Sequence, residues 1–433
     1  MYFPFRDVPA FRRNPLALLT DRAQAADHEQ GFVALALGLR PIYLCNSPQV
    51  ARSILKWPTR ELDKGSLVQR LRPIMGQSLL TNNGDAHKAS KTAIHRHLQR
   101  NAISGNIGKM IAVVNGYIAG LAMQKSFRPT NISAPLALQM GATALFGHDV
   151  LDAADRMALI EAVQTVESEL ADDMFRVLPN GPQKAAERSR RIDGAREIVA
   201  AVINRARASN NRSPLLLALE EAGLSDEQVN AELLGLLIAG HHTTGASISW
   251  MFYKMALDPS LADVLAYEAD GVMEDLERGD ASALRRAPLS ESFVKEILRA
   301  YPAGWWTSRE FLRSAVVEGH KFRRGDMVMI SPWVLHKDPR NWEQPEEFRL
   351  DRDYSHPSYM PFGVGGRSCI GMAIAMFELQ LVALQFASAF SLSGEFGAVH
   401  LKPQPSVTLL APDLELSLTT RNERKFKQTE AVA

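Results

Sequence analysis

Residues 359–377 read YMPFGVGGRSCIGMAIAMF, and the reading of this stretch decides the fold. A glycine-rich turn, Gly363-Val364-Gly365-Gly366, delivers one cysteine, Cys369, two residues before Gly371 and an apolar run of helical composition. The spacing sets Cys369 at the mouth of a helix beginning near Ile370. There the positive end of the helix dipole and free backbone N–H groups favour a thiolate over a thiol. Gly363, Gly365 and Gly366 let the backbone take conformations closed to other residues, so that something large and flat can lie against it. Gly371 removes a side chain where helix and ligand would collide. Arg367 is placed to pair with a carboxylate on the same ligand. A thiolate offered in this way is one of the means by which a protein holds haem iron. The bland alternative is a loop around a buried structural cysteine.

The fixed positions of F-x-x-G-x-R-x-C-x-G are all met, by Phe362, Gly365, Arg367, Cys369 and Gly371. This stretch resembles the haem-ligand signature of the cytochrome P450 family, in its soluble bacterial form. The resemblance implies a mainly α fold with a smaller β subdomain, haem b lying between a long central helix and the cysteine loop. It implies a single domain over residues 1–433, β-rich at about 30–60, 303–333 and 400–420. Cys369 would be the axial ligand of the iron, and Phe362, Gly363 and Gly371 would border the cofactor.

Composition is compatible with that expectation. The chain has 433 residues, 46% of them hydrophobic, enough for a large core. Forty-nine Lys and Arg against 48 Asp and Glu leave a formal net charge of +1, so no global field argues for nucleic acid. The two cysteines, Cys45 and Cys369, are far apart and fit a reducing compartment rather than a disulfide scaffold. The N-terminus, broken by Pro4, Pro9 and Pro15 and by several charges, carries neither a signal-peptide core nor the ~20 apolar residues of a membrane anchor. A cytoplasmic monomer is the expectation.

Along the chain, residues 31–46 give two short strands around a Gly38–Pro41 turn, and Ser47-Pro48 opens a helix running to about Lys56. Residues 59–83 read as a long connection of the kind that lines a binding site, with Leu67, Leu71 and Met75 as candidate substrate contacts. A helix starts after Gly84, capped by Asp85. On it His87 and Lys91 share a face at i and i+4, and the resemblance makes them haem-propionate candidates. His95, Arg96, His97 and Arg100 follow as a basic surface for an acidic electron carrier. The break Pro179–Pro182 matches the family's lid over the substrate channel.

Ser225-Asp226-Glu227-Gln228 is a capping box opening a helix that ends only at Asp258-Pro259. About 32 residues at ~1.5 Å each span roughly 48 Å, enough to cross a domain. Its middle reads Ala239-Gly240-His241-His242-Thr243-Thr244-Gly245. Glycine in mid-helix costs about 1 kcal/mol relative to alanine, and close approach to a flat cofactor is one compensation. The Thr243 hydroxyl is placed to bond back to the carbonyl four residues earlier and loosen the turn. The segment resembles the family's oxygen-activation motif, which implies Ala239 and Gly240 against haem and Thr243 as the proton-delivering hydroxyl. It departs from that motif at His242, where a carboxylate is usual. An imidazole titrates near neutrality and still shuttles protons. His241 is read as a core histidine.

Downstream, a helix over Leu261–Glu277 precedes Glu296 and Arg299, at i and i+3 on one helix face. With Arg352 the resemblance makes them a structural network bracing the cysteine loop. Arg309 and His336 are further propionate candidates, with Arg367. Ala303, Gly304 and Trp305 would border substrate, as would Leu409 and Leu410 on a hairpin of Ser406–Ala411 and Leu414–Thr419. Together these imply a haem-thiolate monooxygenase that inserts one atom of dioxygen into a C–H bond of a lipophilic molecule (terpenoid, steroid or fatty-acid-like). Electrons would come from a ferredoxin and its NAD(P)H-dependent reductase. A peroxide-driven or isomerising haem-thiolate enzyme, and a non-catalytic haem or ligand binder, are the alternatives.

Overall fold

The computed structural model describes residues 3–26, 31–59, 61–69, 71–99, 104–146, 152–174, 180–208, 213–396 and 402–421. The helices are α1 (Val8–Arg13), α2 (Pro15–Ala25), α3 (Pro48–Lys56), α4 (Ser66–Gln69), α5 (Arg72–Met75), α6 (Gly84–His95), α7 (Ile107–Ala122), α8 (Pro129–Phe146) and α9 (Ala153–Met174). They continue with α10 (Pro182–Ala208), α11 (Pro214–Glu221), α12 (Asp226–Leu257), α13 (Pro259–Asp270), α14 (Met273–Glu277), α15 (Pro288–Ala300), α16 (Pro332–Lys337) and α17 (Met372–Ala389). Proline begins many of them (Pro15, Pro48, Pro214, Pro259, Pro288, Pro332), because its fixed φ suits a first turn whose N–H has no intrahelical partner.

The principal sheet has the order β1-β2-β8-β5-β3, from β1 (Phe32–Leu35), β2 (Ile42–Cys45), β3 (Leu62–Asp63), β5 (Thr307–Phe311) and β8 (Met327–Ile330). Among the described residues only β2 and β8 pair in parallel, with Ile42 opposite Met327 and Cys45 opposite Ile330, while β6 (Ala315–Val317) and β7 (His320–Phe322) form an antiparallel hairpin of their own. A second sheet sets β12 (Leu416–Thr420) between β4 (Ser126–Phe127) and β9 (Phe390–Ser393). The expected hairpin over 406–419 does not form. Instead β11 (Leu409–Leu410) pairs with β10 (Gln404–Pro405), while β12 joins the other sheet. The Tyr253 hydroxyl explains the parting: it bonds Pro412 O at 2.7 Å and Leu414 O at 2.9 Å, pinning the turn to α12.

The core is built on α12, 32 residues long and opened by the expected capping box: Gln228 N donates to Ser225 Oγ, and Ser225 N to Gln228 Oε1. Trp250, Phe252 and Tyr253 are fully buried in a cluster shared with Phe293, Phe377 and Phe386. Trp250 stacks on Tyr301, ring centroids 3.8 Å apart. Gly245 serves helix packing rather than a cofactor. A Cβ there would lie 2.9 Å from the Ala134 Cα on α8, an overpacking of ~1–3 kcal/mol against the ~1 kcal/mol that glycine costs a helix. Three further boundaries differ from the sequence reading. α6 starts at Gly84 itself, after Asn83; the expected helix over 261–277 is two helices parted at Gly271; and the 59–83 connection folds into β3, α4 and α5. α17, which is apolar and long enough to cross a membrane, is mostly buried in the core.

Candidate active site

The cysteine loop is held from three sides. Gly363 and Gly365 adopt φ of +64° and +78°, the left-handed region expected of this turn, whereas Gly366 does not. At Gly365 a Cβ would collide with the Leu55 carbonyl oxygen at the end of α3, and backbone atoms cannot swing aside. Cys369 N donates to Phe362 O at 2.8 Å, closing the loop, and Lys91 Nζ on α6 donates to Gly366 O at 2.9 Å. The helix after the cysteine begins at Met372 with Gly371 as its cap, two residues later than the spacing suggested. Burial raises the Cys369 thiol above its usual range, outweighing the Gly371 N–H and the Lys91 ammonium, which both act to lower it.

Cys369 nevertheless exposes surface, as do parts of Phe362, Gly363 and Gly371 beside it. The thiol is thus crowded by protein on most sides and open on one. A second half-buried surface comes from α12. Leu236, Ala239, Gly240 and Thr243 are half-buried on a helix whose neighbouring turns are buried, and their i, i+3, i+4, i+7 spacing is one face. A Cβ on Gly240 would meet nothing within 4 Å. Ile370, next to the cysteine, packs against the same hydrophobic cluster to which Leu234, Leu237 and Ile238 of α12 belong. Thr243 Oγ1 donates to Ala239 O at 2.7 Å, the back-bond read from sequence.

One end of the site is a concentration of cations drawn from four segments. Arg367 is central. Its guanidinium donates to Asn82 O and Asn83 Oδ1, each at 2.8 Å, and its charge acts on Lys64, His87, Lys91 and Arg309. Burial, reinforced by these neighbours, lowers His87 to about 3, Lys64 to about 7 and Arg309 to about 10. Asp63 is the acid acting on Arg309 and Arg367. Lys64 was not singled out from sequence. It is one lysine in a loop, and only the folded chain turns its Nζ inward onto Leu79 O and Leu80 O, at 3.1 and 2.6 Å.

His336 is not brought to this group. It is fully buried, with Nδ1 3.2 Å from Arg299 O and Nε2 accepting from Met360 N at 3.0 Å. Glu296, Arg299 and Arg352 do come together. Arg299 donates to both Glu296 oxygens at 2.7 and 2.8 Å, and Arg352 Nε to Glu296 Oε1 at 3.1 Å. Arg299 also reaches the carbonyl oxygens of His336, Pro345 and Glu347, so the cluster ties α15 to the chain leading into the cysteine loop.

Of the expected substrate contacts, Trp305 is fully buried in a core cluster with Leu409, its indole N–H donating to Ser406 O, and Met75 and Ala303 are buried as well. Leu71 and Leu410 are half-buried and Gly304 is exposed; the Leu67 side chain lies outside the described residues. So do Pro179, the first residue of the Pro179–Pro182 break, and Arg100. His242 is half-buried beside Thr243, while His241 is 1% exposed, with Nδ1 2.7 Å from Glu167 Oε1 on α9.

A thiol open on one side, a half-buried helix face with open space at Gly240 and a cation cluster in excess of its acids form a donor set that fits an iron porphyrin with two carboxylates. The comparisons agree with it. The Cytochrome P450 family model matches residues 20–419. Cyclooctatin synthase of Streptomyces melanosporofaciens is 27% identical over 93% of this chain and 91% of its own. Cyclooctat-9-en-7-ol 5-monooxygenase of the same organism is 26% identical over 92% and 88%. The crystal structure of the cytochrome P450DA heme domain superposes with a TM-score of 0.79, covering 94% of this chain and 93% of that one at 22% identity.

Proposed function

Because this chain belongs to the cytochrome P450 family and is a monooxygenase, we propose that it hydroxylates a C–H bond of a lipophilic, terpenoid-like molecule. The observation that carries this reading is a partly exposed Cys369 in a glycine-rich loop beside a cluster of buried cations, on a chain whose long central helix leaves Ala239, Gly240 and Thr243 half-buried. The terpenoid lean rests on the two Streptomyces relatives, whose names describe cyclooctatin chemistry.

In this reading Cys369 Sγ ligates the iron of haem b as a thiolate. Metal coordination supplies the charge that a buried thiol otherwise lacks. Arg309, Arg367 and His87 hold the propionates, and Lys91 steadies the loop through Gly366 O. Haem held there supplies the redox chemistry that splits dioxygen with two electrons and two protons, one oxygen entering the substrate and the other leaving as water. The chain's own part is to shape the cleft, exclude bulk water and deliver protons. Thr243 Oγ1, its hydrogen turned toward Ala239 O, keeps its lone pairs for an ordered water at the cleft. His242, one residue before it, is the exchangeable proton carrier on the same helix.

A ferredoxin with its NAD(P)H-dependent reductase is proposed as the electron source. The test is a spin-state titration across a terpenoid library, followed by turnover with reconstituted ferredoxins. Hydroxylated product with ferredoxin is expected; turnover with peroxide alone selects the peroxide-driven alternative, and a spectral shift without product selects a binder.

A further inference from the structure

The face of α12 that carries Leu236, Ala239, Gly240 and Thr243 continues one turn back to Glu232, four residues before Leu236. Glu232 is only 1% exposed. A carboxylate persists at such a depth where hydrogen bonds hold it, and each of its oxygens has a partner from a different element. Oε2 accepts from Leu79 N at 2.7 Å, and Oε1 from Ser90 Oγ on α6 at 2.5 Å. Gly235 lets the chain around Leu79 come this close, since a Cβ there would meet Ser78 Oγ at 3.2 Å and Ser78 Cβ at 3.3 Å.

The segment so held, residues 76–82, closes on itself. Thr81 Oγ1 donates to Gly76 O at 2.6 Å and accepts from Ser78 N at 3.0 Å, and Asn82 N donates to Ser78 O at 2.7 Å. Its other carbonyl oxygens serve two cations from distant parts of the chain: Lys64 Nζ donates to Leu79 O and Leu80 O, and Arg367 to Asn82 O. Leu79 therefore stands between Glu232 and Lys64, giving its N–H to one and offering its oxygen to the other. The backbone of Lys64 is fixed as well, because Ser308 Oγ, next to Arg309, donates to Lys64 O at 2.7 Å. Two N–H groups of the ammonium are spent on the segment, which leaves one for a further acceptor.

We propose that Glu232 is a positioning residue for the carboxylate end of the cofactor: by holding Leu79 it fixes the segment whose carbonyls aim Lys64, and Lys64 joins Arg309 and Arg367 in holding the propionates. A lysine is a point charge on a flexible stem, and it presents a donor in one direction only when such a frame is built around it. Burial, then Arg367 and Arg309, oppose the charge on Lys64, while Asp63 and Glu232 favour it. Glu232 thus acts on Lys64 twice, through the Leu79 backbone and as a counter-charge.

The inference rests on the proposed haem-thiolate reading, and the experiment tells the two apart. Glu232→Gln, Lys64→Met and the double variant are compared as holoenzymes. The readouts are haem transfer to excess apoglobin and the resonance Raman band of the propionate bend, which follows hydrogen bonding to the haem carboxylates. Glu232→Gln is expected to speed haem loss about tenfold, the low end for one charged hydrogen bond, and to shift the propionate band as Lys64→Met does. Because Glu232 acts through Lys64, adding Glu232→Gln to Lys64→Met should change the rate by less than roughly twofold. A carboxylate that only stabilises the fold would lower the denaturant midpoint and leave the propionate band in place, and that result overturns the proposal. Rate effects that multiply in the double variant overturn it too. Where Glu232→Gln yields no folded holoenzyme, Lys64→Met alone decides, since an unmoved band and an unmoved rate in that variant are equally fatal. A carbon-monoxide spectrum without thiolate character overturns the functional reading, while the propionate band of the bound haem still tests Glu232.

Discussion

The backbone N–H of Met360 donates to His336 Nε2 at 3.0 Å, nine residues before Cys369, while His336 Nδ1 lies 3.2 Å from the Arg299 carbonyl oxygen. Both bonds are satisfied only by a neutral ring carrying its proton on Nδ1. His336 thus couples the approach to the cysteine loop to the Glu296–Arg299 cluster, and it can do so only uncharged.

Stability should therefore fall with pH on the acid side. Burial holds His336 and His87 to about 3 in the folded protein, against 6.5 for a free imidazole. As pH drops below about 6.5 the unfolded chain takes up protons that the folded chain refuses. The stabilisation is complete above that value and is lost progressively toward pH 3. Urea unfolding at pH steps from 7.5 to 4.5 should show a falling midpoint, less steep in His336→Gln; a flat profile contradicts the assignment.

Glu296→Gln should destabilise the protein by about 3–5 kcal/mol, because Arg299, fully buried, loses its counter-charge. Denaturant midpoints read this directly. Replacing Glu274, which pairs with Arg278 in an exposed i,i+4 pair, should cost under ~1 kcal/mol and serves as the comparison.

Arg309→Gln should accelerate haem loss to an excess of apoglobin roughly ten- to a hundredfold, the equivalent of one charged hydrogen bond of ~1.5–3 kcal/mol. Leu410→Ala, which carries no charge toward the propionates, should leave the rate near wild type. Equal effects from both would place the propionates elsewhere.

Much of this site was legible in the chain because its parts are local. The Phe362–Gly371 spacing, the Ser225 capping box and the Thr243 back-bond to Ala239 all lie within a few turns of one segment. The features that escaped depend on distant packing. Lys64 becomes a site cation only when the fold turns it onto Leu79 and Leu80. Glu167 meets His241 across 74 residues of chain. His336 looked like a propionate ligand by position, but burial and two backbone bonds commit it to structure. Trp305, an aromatic near the expected pocket, is core because its indole N–H finds Ser406 O inside the protein.

Thr243→Ala should keep the absorption spectrum and substrate affinity while diverting reducing equivalents to hydrogen peroxide, lowering coupling about a hundredfold, because the hydroxyl orients the water through which protons arrive. Parallel assay of product, peroxide and NAD(P)H consumed decides the point. Tight coupling in the variant would show that His242 and water deliver protons without Thr243.

The most direct test of the whole account is the absorption spectrum of the reduced, carbon-monoxide-bound protein, taken for wild type and Cys369→Ser. Thiolate ligation predicts a strongly red-shifted main band in wild type that disappears in the variant. A band at the position typical of nitrogen-ligated haem, or one unchanged by removing the Cys369 sulfur, would contradict it.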